Sequence, residues 1–288
     1  MAEPGNWRLA RAKVNLTLHL RGQRSDGYHL LDSLVVFPEL GDTVSVTPSE
    51  QVSLTSSGPF AHLLSEDENN LVLRAAHALA KRRPSALGAA VHLEKHLPVA
   101  SGIGGGSSDA ATALNALSQL WDVEVPDELA LALGADVPVC LRAPKAQYMR
   151  GVGEILEPAP KLPAFGMVLV NPMVAVPTGA VFSSVEDKCP PLPPEIPHDG
   201  FSEFAGLLNW LSVQRNDLQA AAAGACPVID QVLLALAEAP FARMSGSGAT
   251  CFAVVEDLAA ADHLATRLRM SYEDWWIAAA PVRENVVD

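Results

Sequence analysis

Residues 98–111 have the sequence PVASGIGGGSSDAA, which contains four glycines and three serines. Glycines let a backbone approach an anion closely and turn successive N–H groups toward it. Apolar residues at helical spacing follow, among them Leu114 and Leu117, so a helix is predicted to begin near Ser107 or Ser108. Its N-terminus adds the positive end of the helix dipole. The segment therefore predicts a phosphate cradle, because a flexible Gly/Ser linker would not run directly into a helix.

The spacing of these residues excludes the two commonest phosphate-binding loops. A Walker A loop ends in Gly-Lys-Ser/Thr, and no lysine follows these glycines. A dinucleotide-binding fingerprint has glycines at its first, third and sixth positions. Counting from Gly102, the third residue is Gly104 but the sixth is Ser107. The predicted cradle is therefore of another kind.

The composition of the chain is typical of a globular enzyme. It has 288 residues, of which 49% are hydrophobic and 18% charged, and this length suffices for two domains with separate cores. No apolar run reaches the length of a membrane span, and the N-terminus lacks the pattern of a secretion signal, so we expect a cytoplasmic protein with no membrane partner. The four cysteines have no C-x-x-C spacing and indicate neither a zinc site nor a disulfide framework: Cys140, Cys189, Cys226 and Cys251.

The net charge of −13 argues against nucleic acid as a partner, since nucleic-acid binding needs a basic surface. A phosphorylated substrate must then be bound by local donors such as backbone amides, a helix terminus, a few lysines and a divalent cation. A glycine-rich loop without a lysine supplies such donors.

Four further segments accompany the glycine-rich one in a fixed order. They are AKVNL at 12–16, GQRSDGYH at 22–29, GADVP at 134–138 and MSGSGATCF at 244–252. Together with PVASGIGGGSSDAA they resemble the signatures of the GHMP kinases, the superfamily of galactokinase, homoserine kinase and mevalonate kinase. The matching segments span residues 12 to 252, which is nearly the whole chain. One departure is Arg11, which stands where the family commonly has proline.

The resemblance implies an α+β fold with two domains. The expected N-terminal, ATP-binding domain is a ribosomal-protein-like α/β domain over residues 1–160, and the expected C-terminal domain is ferredoxin-like over residues 161–288. A proline-rich stretch at 158–163 is the predicted boundary. Period-2 alternation predicts strands around Leu16–Leu20 and Val44–Val46. A helical pattern is found around Asp257–Arg269, and a strand is predicted near Trp276–Val282.

The expected reaction is transfer of the γ-phosphoryl group of ATP to the 2-hydroxyl of 4-diphosphocytidyl-2-C-methyl-D-erythritol, on the non-mevalonate route to isoprenoid precursors. Asp136 lies in a turn among apolar residues and is the candidate general base, or a group that positions the hydroxyl. The resemblance places Lys13 beside it, where an ammonium would keep the carboxylate ionised. A helix cap or an Asx-turn is the alternative for Asp136.

ATP and Mg²⁺ are the implied cosubstrate and metal ion. Ser107 and Ser108 are predicted to bond phosphate oxygens or Mg²⁺, with capping of the following helix as the alternative. Asp109 is interpreted first as a helix-end residue, the alternative being that a metal ion separates it from the phosphates. No other acidic residue can be named as a metal ligand. Asn70 and Lys95 match positions near the adenine, or are ordinary surface residues. The predicted ATP-binding residues are Asn70, Lys95, Pro98, Ser101, Gly102, Gly104, Gly105, Gly106, Ser107 and Ser108.

The acceptor site also follows from the resemblance. Three residues match those that hold the cytosine ring in the family: Tyr28, His29 and Phe182. An aromatic pair can stack on the two faces of the ring, and an imidazole can hydrogen-bond to its edge. Asn15 is expected to bond the methylerythritol or diphosphate portion, and Gly246 and Ser247 to form a turn close to it. The alternatives are a core tyrosine, a structural histidine and, for the glycine segment, a β-turn between a helix and the strand at Thr250–Val255.

Two other functions remain open at this point. Another GHMP kinase, of the homoserine or mevalonate type, would not need Tyr28, His29 and Phe182 as a cytosine pocket. A nucleotide-binding protein without activity would be expected to lose Lys13 or Asp136. The expected partners are thus small molecules, and the chain is expected to be a monomer or a weak homodimer.

Overall fold

The computed structural model describes residues 7–65, 67–82 and 87–283. Contacts between Cα atoms divide them into two compact units, each discontinuous in sequence. The first unit comprises the described residues of 1–12, 40–99 and 104–143, and the second those of 13–39, 100–103 and 144–288. The predicted boundary at residue 160 is a single division of the chain, whereas each of these units consists of three segments. That boundary stays a prediction.

Strands and helices are distributed over the whole described chain. The strands are β1 (Arg8–Arg11), β2 (Val14–Asn15), β3 (His19–Gln23), β4 (His29–Val36), β5 (Gly41–Ser49), β6 (Ser53–Ser57), β7 (Gly88–Glu94), β8 (Gln147–Gly151), β9 (Ile155–Pro158), β10 (Phe165–Asn171), β11 (Phe241–Met244), β12 (Cys251–Val255) and β13 (Trp276–Val282). The helices are α1 (Leu71–Ala80), α2 (Gly105–Trp121), α3 (Asp127–Leu133), α4 (Val137–Cys140), α5 (Thr178–Ser184), α6 (Phe204–Ser212), α7 (Gln219–Ala225), α8 (Val228–Ala235) and α9 (Leu258–Ser271), with a 3₁₀ turn at Ala61–Leu63.

The first unit is a four-stranded sheet with helices packed on it. The strand order is β1-β5-β7-β6, antiparallel except for the parallel β6–β7 pair. Val44 and Val46 alternate with more polar residues and are buried, as the alternation predicts. Helix α2 packs against α1 and β5, and its buried face is rich in alanine, so the elements can approach closely.

The second unit contains two antiparallel sheets. One has the order β2-β4-β8-β9, with β3 also paired to β4, and the other has the order β11-β12-β10-β13. Every residue of β10 is buried, because it is the strand between β12 and β13 and α9 packs against it. The proline-rich stretch 189–200 contains no helix or strand, in agreement with its composition.

Loops carry the segments that the sequence singles out. The glycine-rich stretch begins in the connection between β7 and α2 and continues into α2. MSGSGATCF spans the β11–β12 connection, and GQRSDGYH spans the β3–β4 connection. Loops held by rigid elements are common places for binding residues. Along the described ranges, no helix combines the length and the apolar character that crossing a bilayer requires.

Candidate active site

The phosphate loop, residues 98–104, ends where α2 begins. The helix begins at Gly105 and not near Ser107 or Ser108, because Gly104 takes a left-handed N-cap conformation with φ +62°. The first N–H groups of a helix have no acceptor within the helix, so those of Gly105 and Gly106 are left to an external partner. A Cβ atom added to Gly106 would meet nothing within 4 Å. An anion can therefore approach these amides.

The two serines after the loop differ in their surroundings. Ser108 is 1% exposed, and its Oγ donates a hydrogen bond to the Arg11 carbonyl at 2.6 Å. Ser107 is half-buried in the first turn of α2. Neither caps the helix, since Gly104 is the N-cap residue and contributes no side chain. The capping alternative for these serines is therefore wrong.

Asp109 belongs to a buried cluster and is not a helix-end residue, because α2 begins at Gly105 and Asp109 lies one turn inside it. The Lys95 ammonium lies 2.7 Å from Asp109 Oδ2 and 2.5 Å from Asp42 Oδ2. We call these three residues the carboxylate–lysine cluster. Burial by itself lowers the pKa of Lys95, but the Asp109 and Asp42 carboxylates raise it above its usual value. Burial raises the pKa of Asp109 well above its usual value, although the Lys95 charge opposes that rise.

The middle of the phosphate loop is held by the glycine turn, residues 245–250, within the second unit. Thr250 Oγ1 donates to the Ser101 carbonyl at 2.6 Å, and Ser245 Oγ donates to the Gly102 carbonyl at 3.3 Å. Gly102 has φ +77°, and a Cβ atom there would lie 2.3 Å from the Gly248 carbonyl oxygen. Only glycine fits this position without displacing the turn.

The glycine turn connects β11 to β12, so a strand and not a helix precedes it. Gly246 has φ +55°, and its carbonyl accepts a hydrogen bond from Asn216 Nδ2 at 2.8 Å. The Ser247 and Thr178 hydroxyls lie 2.8 Å apart. The turn is thus fixed by side chains from other parts of the second unit.

Asn15 lies beside the glycine turn with one free side-chain acceptor. It is 1% exposed, its N–H donates to Ser245 Oγ at 3.1 Å, and its Nδ2 donates to Ser33 Oγ at 2.7 Å. Its Oδ1 is buried and has no hydrogen-bond partner within the described residues. Since buried polar atoms are almost always paired, this oxygen is available for a bound hydroxyl. Lys13, nearby in the chain, is also buried, and its backbone N–H donates to the Ile103 carbonyl at 2.9 Å.

Tyr28, His29 and Phe182 all belong to the second unit. Tyr28 is 64% exposed, so it is not a core aromatic. The His29 ring centroid lies 5.1 Å from that of Phe182, and His29 Nδ1 is buried with no partner in the described part of the chain. Burial, and secondarily the Lys188 charge, lower the pKa of His29, so its ring is neutral at pH 7. A neutral imidazole can donate one hydrogen bond and accept another, as reading a base edge requires.

Asp136 occupies the N-cap position of α4, but its side chain makes no capping hydrogen bond to that helix in the described structure. Asp136 therefore stands at a cap position without its side chain capping the helix, and the Asx-turn alternative stays a prediction. Asp136 is half-buried and not deeply enclosed: Val137 and Val139 are buried, whereas Leu131 is 39% exposed. Lys13 belongs to the second unit and Asp136 to the first, so their predicted pairing stays a prediction.

The two residues predicted near the adenine have other contacts. Asn70 is the N-cap of α1: its Oδ1 accepts from the Val72 N–H at 2.9 Å, and its Nδ2 donates to the Ser65 carbonyl at 2.7 Å. The Lys95 ammonium is 2% exposed and bound to two carboxylates. Lys95 is therefore not a surface residue, and contact of either residue with adenine stays a prediction.

Asp42 is the residue at this site that sequence reasoning missed. It lies in β5 outside every motif, is 0% exposed, and accepts hydrogen bonds from the His96 and Leu97 N–H groups as well as from Lys95. Its position in the strand could have indicated a buried carboxylate, because Asp42 shares the face of β5 with Val44 and Val46. A carboxylate at a core-facing strand position requires a buried partner.

Comparison with known proteins identifies relatives along the whole chain. The family model "GHMP kinases N terminal domain" matches residues 70–143, and "GHMP kinases C terminal" matches residues 194–274. A 4-diphosphocytidyl-2-C-methyl-D-erythritol kinase of Dinoroseobacter shibae is 51% identical over 95% of this chain and 94% of its own length. One from Ruegeria pomeroyi is 53% identical over 93% of this chain and 96% of its own length. A crystal structure of 4-(cytidine 5'-diphospho)-2C-methyl-D-erythritol kinase is 32% identical and superposes with a TM-score of 0.77, covering 97% of this chain and 100% of that one.

Proposed function

This chain belongs to the GHMP kinases, in the 4-diphosphocytidyl-2-C-methyl-D-erythritol kinase family, and we propose that it phosphorylates that cytidylated alcohol. The γ-phosphoryl group of ATP is transferred to the 2-hydroxyl, giving ADP and the 2-phosphate. The observation that carries the proposal is the start of α2, where the amides of the first turn, which have no acceptor within the helix, adjoin the open Gly106. The similarity to relatives over nearly their full length supports the choice of acceptor.

The phosphate loop supplies the binding site for the triphosphate. The amides of Gly105 and Gly106 and the hydroxyl of Ser107 are the proposed donors, and the α2 dipole adds to their attraction for an anion. Ser108 has a different role: its bond to Arg11 ties the first turn of α2 to the end of β1. Phosphoryl transfer depends mainly on such positioning and charge stabilisation.

Asp136 acts on the acceptor hydroxyl. Its carboxylate accepts the proton of the 2-hydroxyl as that oxygen forms a bond to the γ-phosphorus, and the bond from the γ-phosphorus to the β,γ-bridging oxygen breaks to release ADP. Half-burial leaves the Asp136 side chain partly accessible to a bound substrate. Lys13 is the proposed cationic partner of this carboxylate, a role that rests on the sequence motifs.

The donor set near the phosphate loop favours Mg²⁺ that enters with the nucleotide. The described residues contain no group of three or more His, Cys, Asp or Glu side chains able to hold a metal ion, and Asp109 is already bound to Lys95. A nucleotide-borne ion that keeps several waters fits this set, with the Ser107 hydroxyl as the proposed protein ligand. When bound, Mg²⁺ would neutralise part of the negative charge of the triphosphate.

The acceptor is recognised by the unpaired atoms of the second unit. His29 Nδ1 and Asn15 Oδ1 are buried without partners in the described chain, which suits hydrogen bonds to the cytosine edge and to a substrate hydroxyl, respectively. Tyr28 supplies an exposed face on which the cytosine stacks, and Phe182 packs beside His29. Gly246 and Ser247 line the acceptor side of the glycine turn.

Replacing Tyr28 by Ala is expected to raise the KM of the cytidylated alcohol by about 5- to 150-fold, equivalent to roughly 1–3 kcal/mol of lost stacking. The KM of ATP should stay unchanged, and so should the fold, because Tyr28 is 64% exposed. Steady-state kinetics with each substrate varied in turn measures both constants. Tyr28→Phe is the control that keeps the stacking face; an unchanged acceptor KM in Tyr28→Ala would place the cytosine elsewhere.

The proposed function is tested by ADP release with Mg-ATP and four alcohols: the cytidylated methylerythritol, homoserine, mevalonate and galactose. Turnover of the cytidylated alcohol alone is expected. Turnover of another alcohol would keep the kinase chemistry and refute the acceptor. Nucleotide binding without any turnover would favour a binding protein.

A further inference from the structure

Asp42 is a buried acceptor that joins several donors at the base of the phosphate loop. Its Oδ1 accepts hydrogen bonds from the N–H groups of His96 at 2.6 Å and Leu97 at 2.8 Å. Its Oδ2 accepts from the Lys95 ammonium at 2.5 Å. Leu97 directly precedes Pro98, the first residue of the loop. Asp42 therefore fixes the path of the chain where it enters the phosphate loop.

Lys95 extends this arrangement to the far end of the loop. Its ammonium also bonds Asp109 Oδ2, on α2. A Cβ atom added to Gly105 would lie 3.1 Å from Lys95 Nζ, so the first residue of α2 lies close to the ammonium. The entrance of the loop and the first turn of α2 are thus tied to one carboxylate, Asp42.

We propose that Asp42 is a positioning residue that sets the phosphate loop for nucleotide binding, and that Asp109 is a replaceable partner in the same cluster. This inference rests on the proposed function, since it takes a nucleotide phosphate as the ligand of the loop. Asp42 acts through the amides that it holds and through Lys95, and it does not touch the nucleotide itself.

The two carboxylates have unequal roles because they use their oxygens differently. Both oxygens of Asp42 accept hydrogen bonds. Asp109 bonds Lys95 with Oδ2 only, while its Oδ1 is buried without a partner in the described chain. Asparagine has a single acceptor oxygen. At position 42 its NH₂ group would face either the ammonium or two amides, all of them donors, whereas at position 109 its oxygen can replace Oδ2 with no bond lost.

The charges of the cluster agree with this asymmetry. Asp109 holds its proton more strongly than an ordinary carboxyl because it is buried. Burial thus disfavours the charged form of Asp109, which is the form that a neutral asparagine would lack. The Lys95 ammonium contacts both carboxyl groups and offsets negative charge beneath the phosphate loop.

The test compares Asp42→Asn with the matched control Asp109→Asn, using ADP as the probe. We expect Asp42→Asn to weaken ADP binding by about tenfold or more, as for loss of a charge-assisted hydrogen bond. Asp109→Asn should change the ADP Kd by less than about twofold, because the asparagine oxygen can keep the hydrogen bond to Lys95. Calorimetric titration gives the Kd, and circular dichroism at the titration temperature establishes that each variant is folded.

A purely structural role would give a different pattern. If folded Asp42→Asn binds ADP like the parent chain and only unfolds at lower denaturant, or if Asp109→Asn is equally impaired, the proposal is overturned. If Asp42→Asn does not fold, Asp42→Glu is measured in its place. Glutamate keeps both oxygens and the charge but displaces them by one methylene, so weaker ADP binding is again expected. An unchanged ADP Kd in folded Asp42→Glu would also overturn the proposal.

The same experiment is separable from a failure of the proposed function. In variants that turn over, the KM of ATP should rise with the ADP Kd, while the KM of the alcohol stays constant. If the parent chain phosphorylates none of the alcohols but binds ADP, the proposed function fails and the comparison of Asp42→Asn with Asp109→Asn still decides the role of Asp42.

Discussion

Replacing Asp136 by Asn is expected to lower kcat by about a thousandfold or more while leaving the affinity for ATP nearly unchanged. The substitution keeps the size of the side chain but removes the group that accepts the hydroxyl proton. The Asp136 side chain makes no capping hydrogen bond to α4 in the described structure, so no cap of that helix is lost. Single-turnover phosphorylation, with ADP binding measured separately, distinguishes the chemical step from nucleotide binding.

Asp127→Asn is the matched control for this experiment. Asp127 also stands at a helix start, on α3, and its side chain is 88% exposed, so wild-type turnover is expected. Turnover near that of the parent chain in Asp136→Asn would remove Asp136 from the chemistry. A thousandfold loss accompanied by an equal loss of ADP affinity would instead indicate a general collapse of the site.

Replacing Gly102 by Ala is expected to lower the free energy of unfolding of the second unit by about 2–5 kcal/mol, from left-handed backbone strain plus overpacking. Gly102 has φ +77°, and an added Cβ would lie 2.3 Å from the Gly248 carbonyl oxygen. Either the phosphate loop or the glycine turn must move. Urea unfolding followed by circular dichroism measures the stability, and the KM of ATP reports the displaced loop.

Gly106→Ala separates backbone strain from contact with phosphate. A Cβ atom there meets nothing within 4 Å, and the residue is helical, so stability should stay the same or rise by about 0.5–1 kcal/mol. The KM of ATP should nevertheless rise, since the methyl group would occupy the open approach to the α2 amides. Equal stability losses in the two alanine variants would contradict the roles assigned to these glycines.

Much of the fold follows from local sequence patterns. The pattern at residues 276–282 predicts a strand, and β13 covers those residues. The helical pattern at 257–269 corresponds to α9, whose N-cap Asp257 accepts a hydrogen bond from the Ala260 N–H. The pairing of strands into sheets was not predictable in this way, because β10 lies between β12 and β13, its partners far along the chain. Such contacts depend on the whole fold and not on a local period.

The candidate site was predictable where a motif marked it. The glycine-rich segment predicts a phosphate cradle from backbone chemistry alone, but the helix begins two or three residues earlier than expected, since Gly104 provides the N-cap without a side chain. The interpretation of Asp109 was wrong because its partner Lys95 lies outside α2, directly after β7. Asp42 had no motif at all, and only its core-facing position in β5 indicated a paired charge. Buried ion pairs join distant segments, so sequence spacing does not reveal them.

The central claim is that this chain phosphorylates the 2-hydroxyl of 4-diphosphocytidyl-2-C-methyl-D-erythritol. The most direct test is ³¹P NMR of the reaction with Mg-ATP, with the product assigned by its coupling to the methylerythritol carbons. We predict one new phosphomonoester, attached at the 2-position, with the cytidine diphosphate intact and ADP formed in equal amount. ADP and inorganic phosphate without a phosphomonoester, or a phosphoryl group at another position, would contradict the account.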